Sequence, residues 1–397
     1  MFVETPCGLL CEFIPNSSDA LHVALIVKNG AFSDRDFPGR AHFLEHMLME
    51  INLKDSESID LSMKGTTLFE HTQFLISANL TFDSFIKALE LVRNIIFGEY
   101  LSGTALEKVR CDILREYELA LQNNSFIVES HLIQEVGINK NMPIGNRESI
   151  ARIKFADLLD SYNKEYKIEK MKLCILGGHQ EWVFQIIQMF SRRGKIGSNS
   201  ASYFLNNTLY RIEEAYINKY DYEYTIFLKD NYFFTNNIAL NDLVTTISLT
   251  LLEELIKGEL GDIEDNVLAD IVQFSAKYKF VRIRVKKYRS LLNPKKMLKK
   301  ISSKLQKEKH SAIFDEIFHQ YGVILERNDY GFQYIQHLVD CFIYDRQAYK
   351  NSDLLMFISE ENKSNLFEII MCYLNALLTK NRLYLYKVQE GKVIHEG

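Results

Sequence analysis

His42 and His46 stand four residues apart in "GRAHFLEHMLME" (residues 39–50), an otherwise apolar segment with Glu45 directly before the second ring. Four residues are one helical turn, so on a helix both imidazoles point off the same face. Two imidazoles at that spacing can close on one metal ion. A core helix has little other reason to put two ionisable rings together. The segment therefore predicts a helix whose start is marked by Pro38 and Gly39 and whose apolar side includes Ala41, Leu44, Met47 and Leu48.

The rest of the chain must build a frame around that helix. At 397 residues it is too long for one ordinary core, and two domains are expected. Hydrophobic residues at 47% and aromatics at 12% are those of a chain that folds. A net charge of −5 gives no basic footprint for nucleic acid, and the lysine runs "VKKYRS" and "NPKKMLKK" read as solvated faces. Cys7, Cys11, Cys111, Cys174, Cys341 and Cys372 match no metal knuckle. The start "MFVETPCGLL" lacks the features of a secretory signal, and "FEIIMCYLNALL" is interrupted by Glu368 and Asn375. Reduced thiols, a cytoplasmic location and no membrane partner are the expectation.

Strand-like and helix-like runs are interspersed. "GLLCEFI", "LHVALIVKNG", "TQFLISANL" and "MKLCILGG" read as strands; "SESIDLSMKG", "FDSFIKALELVRNIIFG", "GTALEKVRCDILREYELALQNN", "FADLLDSYNKEY" and "EWVFQIIQMFSRR" read as helices. Thr104 with Glu107 forms a candidate capping box. "GKIGSNSASYFLNN" is the best linker, after which "YEYTIFL" and "KYKFVRIRVKKY" read as strands and "ALNDLVTTISLTLLEELIKGEL", "PKKMLKKISSKLQKE" and "NLFEIIMCYLNALLT" as helices. The fold class is α+β: two similar α/β-layered domains, 1–200 carrying the histidines and 201–397 a homologous domain without metal.

Residues 42–46 spell H-x-x-E-H, the inverzincin order of metallopeptidases. With zinc on the two histidines, Glu45 is suited to taking a proton from water rather than to ligation. His131, His179, His310, His319 and His337 occur singly, G-x-S-x-G is absent, and no glycine-rich phosphate loop occurs.

"GRAHFLEHMLM" resembles the active-site helix of the pitrilysin/insulinase family, which includes the mitochondrial processing peptidases. "VKNGAFSDRDFPGRAHF" resembles the strand and turn leading into it, "FEHTQFLI" the family's E-H-T-x-Y strand, and "LEKVRCDILREYELA" its downstream helix. The resemblance is clear over about residues 1–190. It implies a duplicated α+β fold, a Zn2+-dependent endopeptidase, and a peptide held extended along a sheet edge. It implies Glu116 as the third zinc ligand. Val109 stands where the family has a supporting glutamate, and Asp112 can take that role, with Glu70 a further supporting residue on the E-H-T strand. Lys64-Gly65 replaces the family's Asn-Ala pair. Between His46 and Glu116 lie 69 residues, fewer than is usual, which points to a trimmed loop near 51–56. The family's arginine and tyrosine that position substrate are missing from "GDIEDNVLADIVQF". That absence implies a heterodimer in which a homologous subunit supplies the pair. The rival reading is a non-catalytic peptide-binding or scaffolding subunit.

Overall fold

The computed structural model describes residues 1–16, 19–50, 61–99, 101–139, 141–191, 222–230, 235–260, 266–287, 293–305, 312–327, 332–359, 361–379, 383–389 and 392–395. In chain order the elements are β1 (Phe2–Glu4), β2 (Leu10–Ile14), β3 (Ala20–Val27), α1 (Arg40–Met49), β4 (Leu61–Thr67), β5 (Thr72–Asn79), α2 (Phe82–Phe97), α3 (Leu106–Ala120), α4 (Asn124–Glu135), α5 (Arg147–Arg152), α6 (Phe155–Glu165), β6 (Met171–Leu176) and α7 (Val183–Met189). They continue as β7 (Tyr222–Lys229), α8 (Ile238–Leu260), β8 (Asn266–Ser275), β9 (Tyr278–Lys287), α9 (Pro294–Leu305), α10 (Ala312–Arg327), α11 (Phe332–Ile343), α12 (Asn351–Leu355), α13 (Lys363–Thr379), β10 (Leu383–Gln389) and β11 (Lys392–His395). The fold is α+β.

Two compact units result, and neither is one stretch of chain. The first gathers Met1–Ala120, Asn139–Arg211 and Tyr330–Arg346; the second gathers Leu121–Ile138, Ile212–Asp329 and Gln347–Gly397. The first unit holds a sheet of order β1-β2-β6-β3-β5-β4, with β2 and β6 parallel and the other pairs antiparallel. β6 is buried along its whole length and β3 nearly so, because these apolar strands are covered on both faces. One cover is α2, started by a reciprocal Thr81–Ser84 capping box and ended by Gly98 at φ 64. Another cover is α11, whose Gln336 exchanges amide hydrogen bonds of 3.5 and 3.4 Å with Gln73 of β5.

The second unit holds a sheet of order β11-β10-β7-β9-β8 with every pair antiparallel. Its order β10-β7-β9-β8 repeats β6-β3-β5-β4, and strand–helix–strand–strand–helix recurs as β7-α8-β8-β9-α9. α4 docks on this sheet: Asn124 donates to Glu223 at 3.2 Å, Tyr386 donates to Glu135 at 2.8 Å, and Arg282 pairs with both Glu129 and Asp270.

Two expectations need correction. "SESIDLSMKG" is not a helix over its described part: Leu61 onward is β4, whose backbone pairs with β5 from Leu61↔Ala78 to Thr67↔Thr72. The open edge of β5 satisfies every second peptide group of that segment, which outweighs its weak helical pattern. Nor do Thr104 and Glu107 form a capping box. Thr104 sits in a 3-10 turn (Gly103–Ala105) with its hydroxyl on that of Ser102 at 2.8 Å, and Glu107 turns to Arg110. The expected linker at 194–207 and the trimmed loop at 51–56 lie outside the described residues.

Candidate active site

α1 is buried almost all round: Ala41, Phe43, Leu44, Met47 and Leu48 are core, and so are His42 and Glu45. Putting two ionisable groups on such a helix is costly unless they are used. The helix is fixed at its start by Asp34, whose carboxylate accepts from the backbone N–H of Gly39 and of Ala41, both at 2.8 Å. Those donors are among the orphan groups of a helix N-terminus, so the carboxylate caps α1 from outside its own sequence. Gly39 has φ 91, and a side chain there would meet Ile144 O at 2.6 Å, so only glycine serves. Burial lifts the Asp34 carboxyl to about 7, against the N–H bonds of Ala41 and Gly39 and the Arg40 charge.

One turn of α1 brings His42 Nε2 and His46 Nε2 to 3.2 Å, with the rings edge-on at 75°. α3 then carries Glu116 Oε2 to 3.6 Å from His42 Nε2 and 3.3 Å from His46 Nε2. A tetrahedral zinc with bonds of about 2.0–2.2 Å spaces its ligand atoms roughly 3.3–3.6 Å apart, so the trio fits. Its three donor atoms lie within 4.8 Å of one another. His42 Nδ1 is buried without a hydrogen-bond partner among the described residues. Burial, then the neighbouring His46, pushes His42 down to about 4, which keeps its lone pair available at neutral pH. Burial opposes a charge on His46, but the bond to Glu116 and the carboxylates of Glu45, Glu116 and Asp112 outweigh it and raise the ring. Glu116 is itself held below its ordinary range: burial is overcome by the bond to His46 and by the field of His42.

Glu45 is only 5% exposed. Burial lifts its carboxyl to about 7, with His46 and the Thr67 hydroxyl pulling the other way. Thr67 Oγ1 donates to Glu45 Oε2 at 3.0 Å and lies 3.1 Å from Thr72 Oγ1, which donates to the Asn29 carbonyl at 2.8 Å. Thr72's proton is committed to that carbonyl, so Thr67's single proton has two acceptors within reach.

The structure thus brings His42, His46, Glu116 and Glu45 into one site, with the charge of Asp112 acting on His46. Glu70 is one of the charges, after burial and Asp340, that raise the Tyr344 hydroxyl. Glu118 pairs with Arg147, His131 stacks on Tyr386, and His337 meets Cys341 at 3.5 Å. His310 lies outside the described residues. Sequence reasoning missed Asp34 and Thr67. "SDRD" offered two aspartates with no way to choose between them, and Thr67 had no partner until β4 met α1.

The fold is α+β, and the site is a His-His-Glu trio that could hold a metal ion beside a buried carboxyl. Residues 14–145, which contain His42, Glu45, His46 and Glu116, match the family model of insulinase, peptidase family M16. Over that segment the chain is similar to the family. It is 31% identical over 157 residues to the mouse (Mus musculus) cytochrome b-c1 complex subunit 1, a match covering 36% of this chain and 32% of that protein. To the mitochondrial-processing peptidase subunit beta of Saccharomyces cerevisiae it is 30% identical over 191 residues, covering 44% and 40%. The chain thus spans well under half the length of these curated relatives. An M16 peptidase inactive domain from Pseudomonas fluorescens has the same fold, with a TM-score of 0.70 at 12% identity over 98% of this chain and 97% of that one. Among the described residues no helix is long and apolar enough to cross a membrane.

Proposed function

We propose that the chain is a zinc-dependent endopeptidase in which His42, His46 and Glu116 hold the metal and Glu45 is the general base. The observation that carries this reading is the convergence of three donor atoms beside a buried carboxyl lifted to about 7. Zinc, when bound, supplies a Lewis acid that lets water lose its proton near neutral pH and polarises the scissile carbonyl. Glu45 takes the proton from the attacking water. Its Oε2 is held by Thr67, so Oε1 is the oxygen free to accept it. A group poised near neutral pH can then return that proton to the leaving amine. A proton that settles on Oε2 instead can be donated to Thr67, whose own proton then turns to Thr72.

Among the described residues β4 is the last strand of its sheet, and an extended peptide can add to its outer edge through main-chain hydrogen bonds. We further propose that residues 1–200 form the catalytic domain and 201–397 a homologous domain without metal. Supporting this, the strand order of the first sheet recurs in the second, and α8, at the position of α1 in that order, contains no histidine. The described part of "GDIEDNVLADIVQF" is β8, without arginine or tyrosine. This supports a heterodimer whose other subunit supplies those substrate-positioning side chains.

The test is Glu45→Gln, which keeps size and shape but cannot accept the proton. Zinc should remain stoichiometric while peptide hydrolysis falls by at least about a hundredfold. A variant that cuts as fast as the parent would remove Glu45 as the base. If neither protein cuts although peptides bind, the chain is instead a peptide-binding subunit without catalysis.

A further inference from the structure

Along "LSMKGTT", the whole of β4, Lys64 is the only charged side chain, and the neighbouring β5 carries none. The two-residue alternation of strands turns Gly65 and Thr67 towards α1. There Thr67 donates to Glu45 Oε2 at 3.0 Å, and Gly65 lies against Oε1. Ser62, Lys64 and Thr66 share the opposite face. Lys64 is exposed on it, and the side chains that flank it there, Ser62 and Thr66 on β4 and Gln73, Leu75 and Ser77 on β5, are all uncharged. No side chain of these two strands therefore offsets its charge. Burial raises the Glu45 carboxyl, and the Lys64 ammonium is one of the groups that pull it back, so its field reaches the site.

A peptide added to the outer edge of β4 continues the sheet. Each of its residues then faces one residue of β4 and shares its face, with Cβ atoms about 4.5–5.5 Å apart. The peptide residue opposite Gly65 lies nearest the Glu45 carboxyl. Its neighbour, about 3.4 Å along the strand, stands opposite Lys64. We propose that Lys64 selects peptides carrying an acidic side chain within about two residues of the cleaved bond, and rejects a basic one there. This rests on the reading of the chain as a peptidase whose substrate adds to β4.

The main-chain bonds of strand addition are blind to sequence, so discrimination must come from side chains. With one charge on the strand, Lys64 sets its sign. Opposite charges facing each other across strands attract and like charges repel, each by up to about fivefold, so glutamate should beat lysine by roughly fivefold to twentyfold. The ammonium is exposed, so the preference should shrink in about 1 M salt, where screening acts within about 3 Å.

The experiment uses the full-length zinc-loaded protein and peptides that differ only in carrying Glu or Lys at one position, moved along the sequence. The ratio of kcat/KM for the two, taken within each protein, cancels any general effect of a substitution on catalysis. The parent should favour Glu by about fivefold to twentyfold at one position near the cleaved bond in low salt, and less in about 1 M salt. Lys64→Met keeps the length and loses the charge, and should bring the ratio to within about twofold of unity; Lys64→Glu should invert it. Equal cutting of both peptides by the parent, or a preference that survives in Lys64→Met, overturns the proposal. If the parent cuts none of them, the peptidase reading fails, and the Kd values of the same peptides by fluorescence anisotropy decide whether Lys64 selects acidic side chains. A preference for Glu that is lost in Lys64→Met upholds that selection, and equal binding or none overturns it.

Discussion

Replacing Asp34 by asparagine should make the first unit's stability respond differently to pH, and the sign is fixed by burial. Asp34 is 4% exposed, and burial lifts its carboxyl to about 7 in the folded protein, against about 3.9 in an unfolded chain. The folded state therefore holds the proton more tightly than the unfolded one. The stability this gives is fully present below about pH 4 and is lost as the pH climbs through about 7. Three units at about 1.4 kcal/mol each set a ceiling of roughly 4 kcal/mol on the change. Asparagine does not titrate, and with one oxygen it can serve only one of the N–H groups of Gly39 and Ala41 well, which adds a nearly constant cost of about 1–3 kcal/mol. The advantage of the parent over Asp34→Asn should thus shrink by up to about 4 kcal/mol between about pH 4 and about pH 8. Guanidinium unfolding of the metal-free proteins measures it. Trp182, the one tryptophan of the chain, packs 4.9 Å from Phe85 and reports on the first unit directly. Comparing the two proteins at each pH cancels every other titrating group. A difference that stays constant, or widens as the pH rises, would show that the two N–H bonds and Arg40 outweigh burial, and the argument would fail.

His46→Ala should abolish stoichiometric zinc in metal analysis of the purified protein, because it removes one of three donor atoms lying within 4.8 Å of one another. Zinc persisting at one per chain after both His42 and His46 are replaced refutes the assignment. The isolated chain should bind zinc yet cut peptides slowly, and adding a homologous partner that carries the arginine and tyrosine should restore turnover. Full activity of a strictly monomeric preparation, unaffected by any such partner, refutes the heterodimer.

The sequence by itself determined the chemistry that is local. His42, Glu45 and His46 lie within a single helical turn, so their spacing alone put two imidazoles on one face with the carboxyl beside them. Glu116 was reachable only through a family resemblance, since 69 residues separate it from His46 and no local rule spans such a gap. Only the tertiary structure decided the rest. "SESIDLSMKG" lost its helical reading at Leu61 because β5 offered hydrogen bonds that no sequence window contains. Asp34 became the cap of α1, and not its neighbour Asp36, because the turn after β3 aims it at the N–H groups of Gly39 and Ala41. Thr67 acquired meaning only when β4 came up against α1. The two units likewise draw α4 and α11 from opposite halves of the chain. In each case the partner is distant in sequence, and what joins the two is the burial of apolar faces, which periodicity announces without saying against what they will pack.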